Sequence, residues 1–258
     1  DNTKIQALSF IHRLPSLKVI SEKKQSSYAA RNAGIKIARG DILAFIDSDI
    51  TMAHDWITKG VQDIFKENAD YVGCRVDIYT QRSTPSIYEL YNQRTGFPVK
   101  RYMEQFGFAG AGNIFVKKSV VEKIGAFDQR LISGGDYEFG TRVKDASFKM
   151  FYSDHNPVRH PARDSLKSIL KKTARTARGY VDLRTFHPEK FGNLTLYALL
   201  IYFIIIPVKV PASFQDQELG DKIKIFALQL TTHYTNIIFR LVYFLKTLTR
   251  KKQKKLCE

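Results

Sequence analysis

Apolar positions along the first 160 residues follow two periods in turn. Ile5, Leu8 and Ile11 or Phe10 share one face of a segment that Asp1, Asn2 or Thr3 can cap, predicting a helix that ends near Pro15. LKVIS (17–21) then reads as a strand, SYAARNAGIKIA (27–38) as a helix and DILAFID (41–47) as a short buried strand. WITKGVQDIFKE (56–67) is again helical and YVGCRVDIY (71–79) extended. Such βαβ alternation predicts an α/β fold with a mostly parallel sheet between helices and ligands at the carboxyl ends of the strands. Asp47 falls at such an end. Residues 80–107, broken by Pro85, Gly96 and Pro98, read as helix and loop lining a site, and FKMFYS (148–153) as another strand.

The pattern divides the chain into a core (1–158), a basic helical segment (159–192) and a C-terminal hydrophobic and amphipathic part (193–258) with a polybasic end. Between 159 and 190, nine Lys or Arg face only Asp164, Asp182 and Glu189, so an anion should meet this surface. Residues 194–206 carry no charge, but Pro207 and Lys209 follow, short of the roughly 20 apolar residues that a spanning helix needs. In residues 223–248, Leu230, Tyr234, Ile237, Leu241, Leu245 and Leu248 form a stripe, with His233, Asn236, Arg240 and Lys246 elsewhere. That favours lying in a membrane interface, and RKKQKK (250–255) suits anionic headgroups. The alternative is a helical hairpin packed on the core.

With 258 residues, 44% of them hydrophobic, the chain can bury a large core; its charge of +16 points to anionic partners. Cys74 and Cys257 are the only cysteines, which excludes a disulfide framework and a zinc ribbon and fits a reducing compartment. No helix-turn-helix, zinc-finger or RNP-type pattern accompanies the basic residues, so nucleic acid is not expected.

The most specific chemical feature is ARNAGIKIARGDILAFIDSDI (30–50): a helix, a turn at Gly40, an apolar strand, then Asp47-Ser48-Asp49. Two carboxylates at i and i+2 past a strand end can address one hard cation, Mg²⁺ or Mn²⁺, with positions left for diphosphate oxygens. Further on, FAGAGNIF brings Gly110 and Gly112, which either let backbone approach a ligand or mark a bulge. SGGDYEFGTRV (133–143) places Asp136 at a helix start, where it can also serve as the cap.

Taken in order, ARNAGI, ARGD with its apolar strand and DSD, AGAGNIFVKKSVVEKIGAFDQRL and SGGDYEF resemble the family 2 glycosyltransferases, over residues 1 to about 160. The resemblance implies a GT-A fold and transfer of a sugar from a nucleotide-sugar donor to a glycan or lipid-linked acceptor, with inversion. It implies that Asp47, Ser48 and Asp49 meet the metal and donor diphosphate, with Asp49 the more direct ligand and Asp47 able to approach the ribose. Asp136 would be the general base. Glu138 is a second candidate, because the usual acidic pair appears here as Gly135-Asp136; it could instead orient the acceptor or hold Arg142. Arg31 and Asn32 would lie beside the donor with Gly110 and Gly112, a surface ion pair being the alternative for Arg31. His160 would be a further metal ligand, with His155 its rival. Trp56 reads as core, and Tyr88 and Tyr91 as acceptor groove or helix packing.

By the same resemblance the chain begins after the strands that hold the nucleotide, so it is expected to be N-terminally truncated. Its place would be the cytoplasmic face of a membrane, in polysaccharide or glycoconjugate synthesis. Two other readings stay open: a noncatalytic membrane-surface module that has lost its donor pocket, and a nucleotidyltransferase.

Overall fold

The computed structural model describes residues 2–14, 16–197, 199, 203 and 218–257. Its elements are α1 (Thr3–Leu8), α2 (Ser27–Ile37), β1 (Ile42–Ile46), β2 (Thr51–Met52), α3 (Trp56–Lys66), β3 (Tyr71–Tyr79), α4 (Ile87–Thr95) and α5 (Val99–Arg101). A π-helical turn (Tyr102–Phe106) leads to β4 (Asn113–Lys117), α6 (Lys118–Ile124), α7 (Gly135–Asp145), β5 (Met150–Pro161), α8 (Leu166–Phe186), α9 (Pro188–Phe191) and a long α10 (Leu219–Cys257).

The five strands form one sheet in the order β1-β4-β3-β5-β2. It is mixed, not mostly parallel: only β3 and β5 pair in parallel, while β4 runs antiparallel to both β1 and β3, and β2 antiparallel to β5. Successive side chains point to opposite faces as the pleat requires, and both faces of the sheet are covered. Tyr71, Ile114 and Val116 face a core completed by Tyr28, Val120, Phe139 and Leu183, from α2, α6, α7 and α8. Val72, Cys74 and Phe115 face the other side, against α3. There Gly60 lets the helix approach so closely that a Cβ would fall 2.1 Å from the Phe115 ring. Trp56 is core, as expected: its ring lies 4.7 Å from that of Phe115, and its Nε1–H donates to Asn113 Oδ1 at 2.8 Å.

Leu17–Ile20 form no strand, although the residue types suit one; no strand among the described residues hydrogen-bonds to them. The first helix stops at Leu8 and leaves Ile5 and Leu8 exposed. β5 runs through to Pro161, so the division placed at residue 158 falls inside a strand. Local signals hold elsewhere: Ser26 and Ser165 cap α2 and α8, and Ser86 with Glu89 forms a capping box on α4.

α10 packs along α8, with Ile225, Leu228 and Ile237 buried and Arg240 lying 3.7 Å over the Tyr180 ring. Tyr91 joins α4 to α10 through a 3.1 Å hydrogen bond between its hydroxyl and Thr232. Part of the apolar stripe is therefore spent on the protein itself, while Ile238, Val242, Leu245 and Leu248 stay exposed. Among the described residues no helix is long and apolar enough to cross a membrane. Most of 194–210 lies outside the described residues.

Candidate active site

The pairing of β1 with β4 builds the site. Ile46, the last residue of β1, lies opposite Asn113, the first of β4, so the Asp47–Ile50 segment and the Gly110–Gly112 segment leave the sheet side by side. The Ile50 N–H closes a turn on the Asp47 carbonyl at 3.2 Å. Gly112 faces Asp47 so closely that a Cβ there would sit 2.8 Å from Oδ2; close approach, not a bulge, accounts for this glycine. Gly110 has open space around it and also faces the cavity.

That cavity, of about 340 Å³, takes Asp47, Ser48 and Asp49 from one wall, Tyr28 and Arg31 from α2, and Asp136 from the start of α7. His160, Arg163 and Arg175 close another side. Three of the four acidic residues singled out from the sequence, Asp47, Asp49 and Asp136, thus share one cleft.

Asp136 lies in the first turn of α7, whose cap is Gly134 in a left-handed conformation (φ 82°), so the aspartate is not the cap. Its Oδ1 is sealed from solvent without a hydrogen-bond partner. Burial pushes the carboxyl up to about 6, with the nearby Asp47 adding to the rise and Arg31, the Ala111 backbone and Arg175 opposing it. A carboxylate with an idle oxygen and a raised affinity for protons suits a general base working near neutrality. Tyr28, which the sequence did not single out, holds this turn: its hydroxyl accepts the Gly135 N–H at 2.9 Å. Burial and the neighbouring Asp136 raise its phenol well above the usual tyrosine range, so it stays protonated. An aromatic residue packed at the start of the helix before ARNAGI was the available signal.

Arg31 spans the cleft floor. It donates to Asp47 Oδ1 at 2.5 Å and stacks near Tyr28 and Phe127. It lines the cavity, with only 14% of its side chain exposed. Asp47 is therefore engaged by a cation of the protein, whereas Asp49 points its Oδ2 to His160 Nε2 at 3.4 Å. His160 Nδ1 lies 2.7 Å from the Pro161 carbonyl, which can only accept, so Nδ1 carries the proton and Nε2 presents a lone pair or a second proton to Asp49. One carboxylate and one imidazole line the cavity together, and diphosphate oxygens completing an oxygen-rich shell there would fit Mn²⁺ or Mg²⁺. Among the described residues there is no ready-made group of three or more such ligands.

Three expectations need correction. Asn32 does not face the cleft: its amide makes two hydrogen bonds with the Phe127 backbone, at 2.8 and 3.0 Å. Glu138 is buried and grips Arg142 through two contacts of 2.6 and 2.9 Å, while Arg142 also donates to the carbonyls of Ile124, Gly125 and Ala126. It holds a turn and cannot reach the cleft. His155 pairs with the buried Asp63 of α3 at 3.0 Å, away from Asp49. A residue that sequence reading passed over is Phe97. Its positive φ (42°) is costly outside glycine, and it places the ring 5.0 Å from His160.

Comparison with known proteins agrees with this architecture. The profile of Glycosyl transferase family 2 matches residues 1–125. The chain is 31% identical over 220 residues to glycosyltransferase AglE of Haloferax volcanii, covering 85% of this chain and 71% of that protein. It is 21% identical over 227 residues to a dolichyl N-acetyl-alpha-D-glucosaminyl phosphate 3-beta-D-2,3-diacetamido-2,3-dideoxy-beta-D-glucuronosyltransferase of Methanococcus voltae, covering 80% of this chain and 71% of the other. In fold it is similar to a mannosyltransferase of Pyrobaculum calidifontis solved with GDP-Man and Mn²⁺, at a TM-score of 0.52 and 14% identity, over 96% of this chain and 63% of that one. The profile match and the AglE relationship carry the conclusion that this chain belongs to the family 2 glycosyltransferases.

Proposed function

We propose that the protein transfers a sugar from a nucleotide-sugar donor to a hydroxyl of a lipid-linked or glycan acceptor, with inversion at the anomeric carbon. The observation that carries this reading is the convergence of Asp47, Asp49 and Asp136 on one cavity, the last with a sealed oxygen and a raised proton affinity. The acceptor oxygen attacks the anomeric carbon from the Asp136 side, Asp136 takes its proton, and the bond from that carbon to the diphosphate oxygen breaks. Asp49 and His160 would hold Mn²⁺ or Mg²⁺, which when bound supplies positive charge for the departing diphosphate. Arg31 keeps Asp47 in place and lends charge to the same region, and Tyr28 fixes the turn that aims the base. Such a base contributes roughly 10² to 10⁴ in rate.

A membrane surface, at the cytoplasmic face, is part of the proposal. Its support is the exposed Ile238, Val242 and Leu245 of α10 and the basic residues that follow them in sequence.

The test is turnover of a nucleotide-sugar panel with and without Mn²⁺, following the nucleoside diphosphate released and the anomeric configuration of the product. Metal-dependent release of nucleoside diphosphate with inversion, lost in Asp49→Ala and reduced by roughly 10² to 10⁴ in Asp136→Asn, is expected. Release of pyrophosphate, a retained configuration, or near wild-type turnover in both variants overturns the reading.

A further inference from the structure

A second cavity, of about 670 Å³, opens beside the first and shares Asp49, His160, Arg163 and Arg175 with it. Three more cations line it, Lys171, Lys172 and Arg178 of α8, together with Ile132, Pro161, Ala162, Ser168 and Ala174, and Tyr243 of α10 faces them. Arg178 has a carboxylate neighbour, Asp182, at 3.4 Å. Among the described residues Arg163, Lys171, Lys172 and Arg175 have none within ion-pair distance, although Asp49 is close enough to Arg163 to favour its charge. Lys172 is half-buried, its ammonium 5.0 Å from the centre of the Phe97 ring. Burial, Arg163 and Arg175 push it down to about 8, and burial with Arg175 also lowers Arg163. Like charges gathered out of water are unfavourable unless an anion joins them.

The cations lie on the side of the cleft that carries the base. Gly179 of α8 meets the loop before Asp136 so closely that a Cβ would fall 2.5 Å from the Ser133 carbonyl oxygen, and Leu183 packs on Gly134 at a corresponding 2.7 Å. Inverting attack requires the acceptor to enter from the base's side, opposite the leaving diphosphate. The helix that lends Tyr243 to this cavity also leaves Ile238, Val242 and Leu245 exposed, on a face turned away from Tyr243.

We infer that this second cavity binds the phosphate of an amphiphilic, phosphate-linked acceptor, with Lys171, Lys172 and Arg178 as its ligands. The inference rests on the sugar-transfer reading above and names the acceptor side of that site. Arg163 and Arg175, common to both cavities, place the phosphate next to the reacting centre.

The experiment measures binding to the full chain without turnover, using farnesyl monophosphate and farnesol in neutral detergent, phosphatidylglycerol vesicles, and a nucleoside diphosphate with Mn²⁺. Lys172→Met removes the charge while keeping an unbranched apolar stem, and Lys171→Gln is its exposed companion. Farnesyl monophosphate should bind at least about tenfold tighter than farnesol, as expected of a charge-assisted phosphate contact. Each variant should weaken it roughly tenfold while nucleoside-diphosphate binding stays within about twofold of wild type. Equal binding of phosphate and alcohol, loss of nucleoside-diphosphate binding in parallel, or a variant effect only on vesicle binding overturns the assignment. Failure of the nucleoside diphosphate to bind the wild type would instead count against the sugar-transfer reading, so the two are separable.

Discussion

Replacing Asp136 by Asn should make the protein more stable while removing its proposed base. In the folded protein the carboxyl is raised from 3.8 to about 6, chiefly by burial. Each pH unit of such a rise corresponds to about 1.4 kcal/mol, so the ionised group costs the fold about 3 kcal/mol at pH 7. Below about pH 4 both folded and unfolded chains hold the proton and the cost vanishes; between there and about pH 6 the folded state keeps a proton that the unfolded chain has released, so stability falls as pH rises. Asparagine cannot ionise. The variant should therefore equal the wild type, within packing differences, at pH 4, gain on it up to about pH 6, and hold a constant advantage of roughly 1–3 kcal/mol above that. The assay is urea unfolding of both proteins from pH 4 to 8 in chelated buffer, so that no divalent ion offsets Asp47. A difference that does not change with pH, or a variant that becomes relatively less stable as pH rises, would refute the argument that burial is what tunes this carboxylate. Turnover by the wild type should rise through the same window as the base loses its proton.

Two further outcomes follow from the packing around the cleft. Glu138→Ala leaves Arg142 without its buried partner and should cost about 3–5 kcal/mol, read as a large fall in melting temperature, while donor KM in the surviving folded fraction stays near wild type; a selective loss of kcat with an unchanged melt would return Glu138 to the chemistry. Gly112→Ala puts a methyl group 2.8 Å from Asp47 Oδ2, a displacement of about 1–3 kcal/mol that should appear as a rise in donor KM of roughly tenfold or more; unchanged donor kinetics would show that Asp47 does not need its present position.

Much of this protein is legible from local pattern alone. Period-2 and period-3.6 runs locate β1, α2, α3 and β3 to within a residue or two, because a half-buried element must repeat its apolar positions at its own pitch. The segment after a buried strand is also a local event, so Asp47 and Asp49 could be singled out from pattern, whereas Asp136 as a base was implied by the resemblance to the family 2 glycosyltransferases. What local pattern lacks is direction and partnership. The apolar run of β4 reads the same whether the strand runs up or down, and only pairing with β1 and β3 set it antiparallel to both. Leu17–Ile20 have the residue types of a strand but no neighbour to share a ladder. His155 and His160 differ little as sequence; the tertiary structure gave one to Asp63 and the other to Asp49. Asn32 and Glu138 went to the Phe127 backbone and to Arg142 because buried polar groups take whichever partner folding brings within reach, and those partners can lie far along the chain. The cation pocket arose the same way: charges already visible in the sequence became a site only when α8 was folded against the Ser133–Asp136 loop and faced by α10.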